Sequence, residues 1–439
     1  MNAPSAMNTE TMQRASRLRW TSYALLIAAY MLGYFHRLAP GVLSSELQVS
    51  FSTTGASLGI LAGAYFYAYT LMQIPAGVLA DTLGARRIVA IGCAVAGLGG
   101  LAFALADSLW LAAAGRFLVG IGVSVIFIAI LKFTAHWFFD HQFASVTGLT
   151  ILLGNIGGLT AATPLAWSLQ FAHWRTLMTA LAILLVAIAA IVWLLVRDRP
   201  GDAGLPSMRA LEGKTEHSEI AGGWRQGLQA VLCNRDTWPG FFSSLGMGGI
   251  FFTLAGLWAV PYLRDVQGLD RASAASHTTW MLIGFAAGSF AVGLISDRLK
   301  RRRPVLLAFT FGAILCWVPI QMAWSMPLAL SLPLFTLLGF FATAYTITLS
   351  STKEVNAPAL SGMATGVVNT GTFLGAAILQ PLIGYLMDLG WDGRFAENGA
   401  RIYSAANYQG GFAVMSLCLA MSLLFAWRIR ETHCRNITV

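Results

Sequence analysis

Twelve apolar runs of roughly 18 to 25 residues, separated by short polar turns, leave this chain few ways to fold. They span residues 20–43, 55–80, 88–106, 110–132, 143–168, 174–196, 238–262, 273–296, 304–324, 328–351, 362–387 and 407–428. Each is long enough to cross about 30 Å of hydrocarbon as an α-helix. With 56% hydrophobic and 11% charged residues over 439 positions, too little polar surface remains to cover a water-soluble globule. Backbone polar groups in lipid must be satisfied within each segment, and a β-barrel shows short alternating segments instead of unbroken runs. The expected class is an all-α integral membrane protein with twelve transmembrane helices.

The runs also repeat. Gly77, Asp81, Gly84, Arg86 and Arg87 close the second run with a Gly-x-x-x-Asp step and a tight basic turn. Gly293, Asp297, Arg298 and the basic cluster through Arg302 and Arg303 close the eighth in the same way, 216 positions later. Gly148 and Gly157 in the fifth run are matched by Gly366 and Gly375 in the eleventh at a spacing of 218. Near-constant offsets mean two parallel six-helix pseudo-repeats, an organisation found mostly in transporters. The matched glycines are expected to let helices approach where the two halves slide. Between Val196 and Trp238 the apolar runs stop, and residues 197–206 open a stretch rich in Gly, Pro and charge. The chain thus divides into an N-terminal half (1–197), a cytoplasmic linker (198–237) and a C-terminal half (238–439). The linker is too short for a folded catalytic or DNA-binding domain.

The net charge of +9 is a topology signal. Arg14, Arg17, Arg19, Arg86, Arg87, Lys132, the 197–235 segment, residues 298–303, Lys353 and the C-terminal arginines fall on one side. Arg175, Arg264, Arg271, Arg394 and Arg401 fall on the other. The positive-inside rule then puts both termini in the cytoplasm of a cell membrane, inner or plasma, and no nucleic acid is expected as a partner. The apolar run after Trp20 is full span length and reads as a retained first helix. Cys93, Cys233, Cys316, Cys418 and Cys434 show neither metal-ligand nor disulfide-framework spacing, and His136, Asp140 and His141 read as an interfacial turn. Asn436 heads a glycosylation sequon that this topology leaves in the cytoplasm. No phosphate loop and no nucleophile elbow is found, so neither a cofactor, ATP-driven pumping nor an enzyme is expected.

Six plus six spans with this turn in both halves resemble the major facilitator superfamily over nearly the whole chain. Residues 116–122 of the fourth span, Arg-Phe-Leu-Val-Gly-Ile-Gly, resemble a further superfamily pattern. The resemblance implies a site between the halves, rocking alternating access, and gating by Gly77, Asp81, Gly84, Arg86, Arg87, Gly293, Asp297, Arg298 and Arg302. Asp81 and Asp297 are expected to cap opposing helices, Arg86 and Arg87 to reach Asp140, and Arg302 and Arg303 to reach Glu354.

Charge inside lipid needs a partner or a watery cavity, and two arginines lie within spans. Tyr30, Tyr34 and Arg37 fall at i, i+4 and i+7, one aromatic and cationic stripe suited to an anionic solute. The alternative for Arg37 is snorkelling outward or pairing with Glu46. Arg116 either contacts solute or, as the resemblance implies, holds the fourth helix to its neighbours. Asn369 and Gln380 are further solute candidates, since an amide in lipid needs partners. Tyr65, Tyr69 and Gln73 form a line on the second span. No acid sits mid-span, and a guanidinium fork pairs with carboxylate or phosphate bidentately. The segment around Tyr34 and Arg37 is similar to the first helix of anion:cation symporters, whose proton-coupling acid is replaced here by His36, itself either a coupling group or a polar packing residue.

These residues point to a secondary or facilitative transporter of a small organic anion (a carboxylate, sugar acid, phosphorylated metabolite or short peptide) acting as a monomer in the bilayer, with proton coupling open. A drug exporter is the rival within the fold, though its Gly-Pro pair is missing from residues 154–158, Gly-Asn-Ile-Gly-Gly. A transporter-like metabolite receptor is the rival from another class.

Overall fold

The computed structural model describes residues 9–206, 208 and 224–438. The middle of the expected linker lies outside the described residues, as do the side chains of Asp81 and Asp140. Ten helices are long and apolar enough to cross a membrane. With the first helix and one arm of a kinked second, the described residues hold twelve. They are α1 (Thr9–Val42), α2 (55–83), α3 (85–104), α4 (Leu109–Trp137), α5 (Ser145–Ser168), α6 (Trp174–Leu195), α7 (Arg235–Asp265), α8 (Arg271–Leu299), α9 (Arg303–Gln321), α10 (Leu328–Glu354), α11 (Pro358–Leu389) and α12 (Ala405–Arg428). The all-helical twelve-span fold is as expected, and most ends fall within a few residues of the apolar runs. The largest departure is α1, which starts at Thr9 rather than near residue 20. Hydropathy sees only the part in lipid, whereas backbone hydrogen bonding continues through the polar residues before it.

Hydrogen bonding runs unbroken from Gly55 to Ala104, but Gly84 sits at φ 80°, ψ 166° and splits α2 from α3. Only glycine takes this conformation without strain, and a Cβ here would lie 2.7 Å from the Asp198 carboxylate. That carboxylate accepts the Arg86 backbone N–H at 2.7 Å and so caps α3. The position 216 residues on is Lys300, which takes a left-handed conformation (φ 50°) without being glycine. The pseudo-repeat keeps the bend while its sequence changes.

Within each half, glycines bring backbones into contact. Gly99 of α3 faces the Gly115 carbonyl of α4, and Gly284 and Gly288 of α8 face Thr336 and Phe340 of α10. The matched pair Gly157 and Gly375 also works inside the halves, packing on Met31 of α1 and on Leu245 and Gly249 of α7. This corrects the expectation that they serve the sliding surface. Gly148 has open space where a Cβ would stand, and Gly366 meets only the Gln73 carbonyl at 4.0 Å. The close approach between halves lies instead where Gly59 of α2 meets Gln380 and Pro381, and where Gly384 of α11 meets Gly55. No spacing in the sequence marks these three glycines apart from their neighbours.

Candidate functional site

Arg37 is 3% exposed, deep in α1. Its Nε donates to the Tyr65 hydroxyl at 3.4 Å, and that hydroxyl donates to the Gly33 carbonyl at 3.3 Å. The guanidinium carbon lies 4.4 Å from the Tyr34 ring centroid, 4.8 Å from Tyr69, 5.0 Å from Phe373 and 5.2 Å from Phe252. Helices of both halves therefore build its surroundings, with α1 and α2 facing α7 and α11. Cation–π attraction favours the charge inside this ring shell. Tyr30 extends the shell, stacking on Phe127 at 5.4 Å and meeting Tyr34 edge-on at 5.1 Å. Arg37 neither snorkels nor pairs with Glu46. Glu46 is ion-paired with Arg271 instead.

Arg116 does different work. Its Nη1 donates to the His36 carbonyl at 2.6 Å and its Nη2 to the Ala62 carbonyl at 3.5 Å, tying α4 to α1 and α2. The His36 carbonyl needs that donor, because the residue four positions on is Pro40, which has no N–H to close the helical bond. The geometry is that of a brace. The His36 ring is 1% exposed and its Nε2 has no hydrogen-bond partner among the described residues.

The two amides do not join the Arg37 shell through their hydrogen bonds. Gln380 is fully buried and donates to the Phe252 carbonyl at 3.4 Å, while its own backbone carbonyl accepts from Trp258 Nε1 at 3.1 Å. It knots α11 to α7 beside the π-helical turn Leu254–Trp258, a local irregularity of the kind that clusters at functional sites. Asn369 donates to Gln73 at 3.0 Å, bridging the halves on the side of the basic turns.

On the opposite face the halves are latched. The Asp388 carboxylate of α11 accepts from the backbone N–H groups of Gly55 and Ala56 at 3.0 and 2.8 Å, capping α2 from the other half. Tyr403 donates to Asp388 at 2.6 Å and accepts from Gly55 at 2.9 Å, and Arg401 lies 3.3 Å from the same carboxylate. Burial first, and the neighbouring carboxylate next, hold the Tyr403 phenol above its ordinary pKa, so it stays a donor. Gln48 with the Arg401 backbone, Ser45 with Arg264, and Thr163 with Thr279 add further bonds between halves on this face.

The face with the basic turns is looser. Gly77, Gly148, Gly293 and Gly362 have nothing within 4 Å where a Cβ would stand. Arg302 pairs with Asp297 at 2.8 Å and with Glu354 at 2.7 Å, the latter contact as expected. Arg303 departs from expectation, stacking over Trp427 at 5.5 Å rather than reaching Glu354. Among the described residues Asp297 caps no opposing helix; Arg302 of its own turn holds it. Arg298 is exposed. Glu431 accepts the backbone N–H groups of Arg302 and Arg303 at 2.9 and 3.0 Å and caps α9. In the first copy, Arg86 donates through Nε to the Trp193 carbonyl at 2.7 Å. The expected contacts of Asp81 and Asp140 lie outside the described residues.

Sequence reading missed Phe252 and Phe373, since a phenylalanine in an apolar helix carries no mark of what it faces. It also missed the Asp388 latch, because an acid at a helix end looks solvated until its partner helix is known.

Two six-helix halves around an interior guanidinium, latched on one face and loose on the other, define a membrane carrier fold rather than an enzyme. The description "Major Facilitator Superfamily" belongs to the family model matching residues 23–276 and 256–435, and the chain belongs to that family. It is 27% identical over 457 residues to the membrane sensor protein UhpC of Salmonella typhimurium, covering 98% of both chains. It is 25% identical to the D-galactonate transporter of Escherichia coli, covering 85% of this chain and 90% of that one. Its fold matches a bacterial homolog of the human lysosomal transporter Spinster, solved inward-facing and unoccupied. That match has a TM-score of 0.74 at 16% identity over 94% of this chain and 97% of the other.

Proposed function

We propose that this protein is a secondary transporter of a small organic anion, with Arg37 as the anion anchor. One observation carries the reading. A buried guanidinium stands in an aromatic shell built by both halves, with no carboxylate paired to it among the described residues. An anion entering there gains a charge-assisted, bidentate partner, and rocking of the halves changes which face it can leave by. The similarity to a D-galactonate transporter supports the same class. Tyr34 and Tyr30 line the anchor, Arg116 braces it, and Gln380 and Asn369 set the approach of α11.

The N-terminal half (1–197) and C-terminal half (238–439) move as bodies, with 198–237 as tether. Gly77, Asp81, Gly84, Arg86, Arg87, Gly293, Asp297, Arg298 and Arg302 form the gate on the cytoplasmic face of a cell membrane, both termini lying on that side. The molecule works as a monomer. Proton coupling, where present, is assigned to His36, whose bare Nε2 lies inside the protein.

Thermal stabilisation of the purified chain by organic anions, sugar phosphates, dipeptides and lipophilic cations tests this, because a ligand of the folded state raises its stability. Anions are expected to stabilise wild type and not Arg37→Gln. Stabilisation by lipophilic cations alone would replace the anion reading with drug export. A second reading, a metabolite sensor, is favoured by the similarity to UhpC over 98% of both chains. A carrier exchanges internal for external solute in counterflow, whereas a sensor binds without exchange.

A further inference from the structure

Resting on the anion reading, we propose that the site selects by charge number, accepting a solute with one negative charge and rejecting phosphate-ester dianions. Among the described residues, one interior guanidinium is equipped for a ligand. Arg116 spends Nη1 and Nη2 on the main-chain carbonyls of His36 and Ala62, while Arg37 bonds the side chains of Tyr65 and Tyr69 and no main-chain carbonyl in the hydrogen bonds described. The pseudo-repeat supplies no second cation. The position 216 after Arg37 is Thr253, fully buried, with a hydroxyl that has no partner among the described residues. The second half meets Arg37 with Phe252 and Phe373, which carry no charge.

One fork neutralises one carboxylate or sulfonate and satisfies two of its oxygens. A phosphate monoester carries about 1.5 to 2 negative charges near neutral pH, so its second charge enters an aromatic shell with nothing opposite it. The rings that favour a cation repel an anion on their faces, which deepens the penalty. A carbon skeleton suffers no such penalty and packs on the same faces.

The test uses full-length protein and three matched pairs, glucuronate with glucose 6-phosphate, glycerate with glycerol 3-phosphate, and 2-hydroxyethanesulfonate with 2-hydroxyethyl phosphate. At about pH 7.5 the singly charged member of a binding pair is expected to bind about tenfold or more tightly. On acidification to about pH 5.5 the phosphate esters lose most of their second charge, and the gap within their pairs should narrow. Equal or tighter binding of the doubly charged members at about pH 7.5 overturns charge-number selection while leaving the anion site standing. Binding of none of the six, with lipophilic cations binding instead, removes the anion site and this inference with it. Arg37→Gln should lose both members of a pair.

Discussion

Arg37 on α1 and Arg116 on α4 are both buried guanidiniums, yet substitution should separate them cleanly. Arg116→Ala leaves the His36 carbonyl without a donor and opens a void, so we expect a stability loss of about 2–4 kcal/mol, read as a lower melting temperature without ligand. Pro40→Ala restores the missing backbone N–H, and the double variant should recover about 1 kcal/mol or more of that loss. Strict additivity of the two changes would refute the brace. Arg37→Gln, by contrast, should melt close to wild type and lose only ligand stabilisation. Both arginines and the Tyr30, Tyr34 stripe are legible in the sequence because charge and ring are rare signals in an apolar helix. Their division of labour is not, since it hangs on a carbonyl freed by a proline and reached from another helix. Nor are Phe252 and Phe373, whose role depends wholly on what lies opposite.

Helix ends carry the asymmetry between the two faces. Asp388→Asn keeps the shape of the latch on α2 but weakens two charge-assisted bonds, and it should shift the molecule toward opening on that face. Spin labels at residues 52 and 392 would report the shift as a longer distance, and an unchanged distribution would dismiss the latch. Gly59→Val should go further, since its side chain would collide with the α11 backbone at Gln380 and Pro381. At the other face, Glu431 caps α9. Burial tends to raise its pKa, but hydrogen bonds from the backbones of Arg302, His433, Arg303 and Thr432 outweigh it and leave the carboxyl below its ordinary value. A lowered folded-state pKa gives stability that is complete above the unfolded value and lost as pH falls through the folded one. The cap is only partly buried, so Glu431→Gln should cost only about 0.5–1 kcal/mol near neutrality. That difference should start to shrink as pH falls below the ordinary glutamate value of about 4.3 and disappear only below the lowered folded-state value, as melting curves across pH would show. The sequence announced helices and their basic turns through hydropathy and spacing. It was silent on latch and cap because both join residues over a hundred positions apart.

At the scale of the molecule, duplication is what the sequence shows best, and divergence between the copies is what makes the protein particular. The bend at Gly84 survives in the second copy at Lys300, whereas the interior charge at Arg37 has no counterpart there. That missing counterpart reaches beyond selectivity. When one anion joins one fixed cation, the loaded site is neutral, and each completed passage without a companion ion moves one elementary charge across the bilayer. Such a charge is worth about 2.3 kcal/mol per 100 mV, so an interior-negative cell would hold its solute about fiftyfold below the outside level at equilibrium. Left to itself, the carrier would empty the cytoplasm of its solute, and uptake against that pull would need at least one cation travelling along. Solute flux in vesicles clamped at opposite potassium-diffusion potentials should therefore reverse or change severalfold, and the ratio would count the ions that accompany each turn.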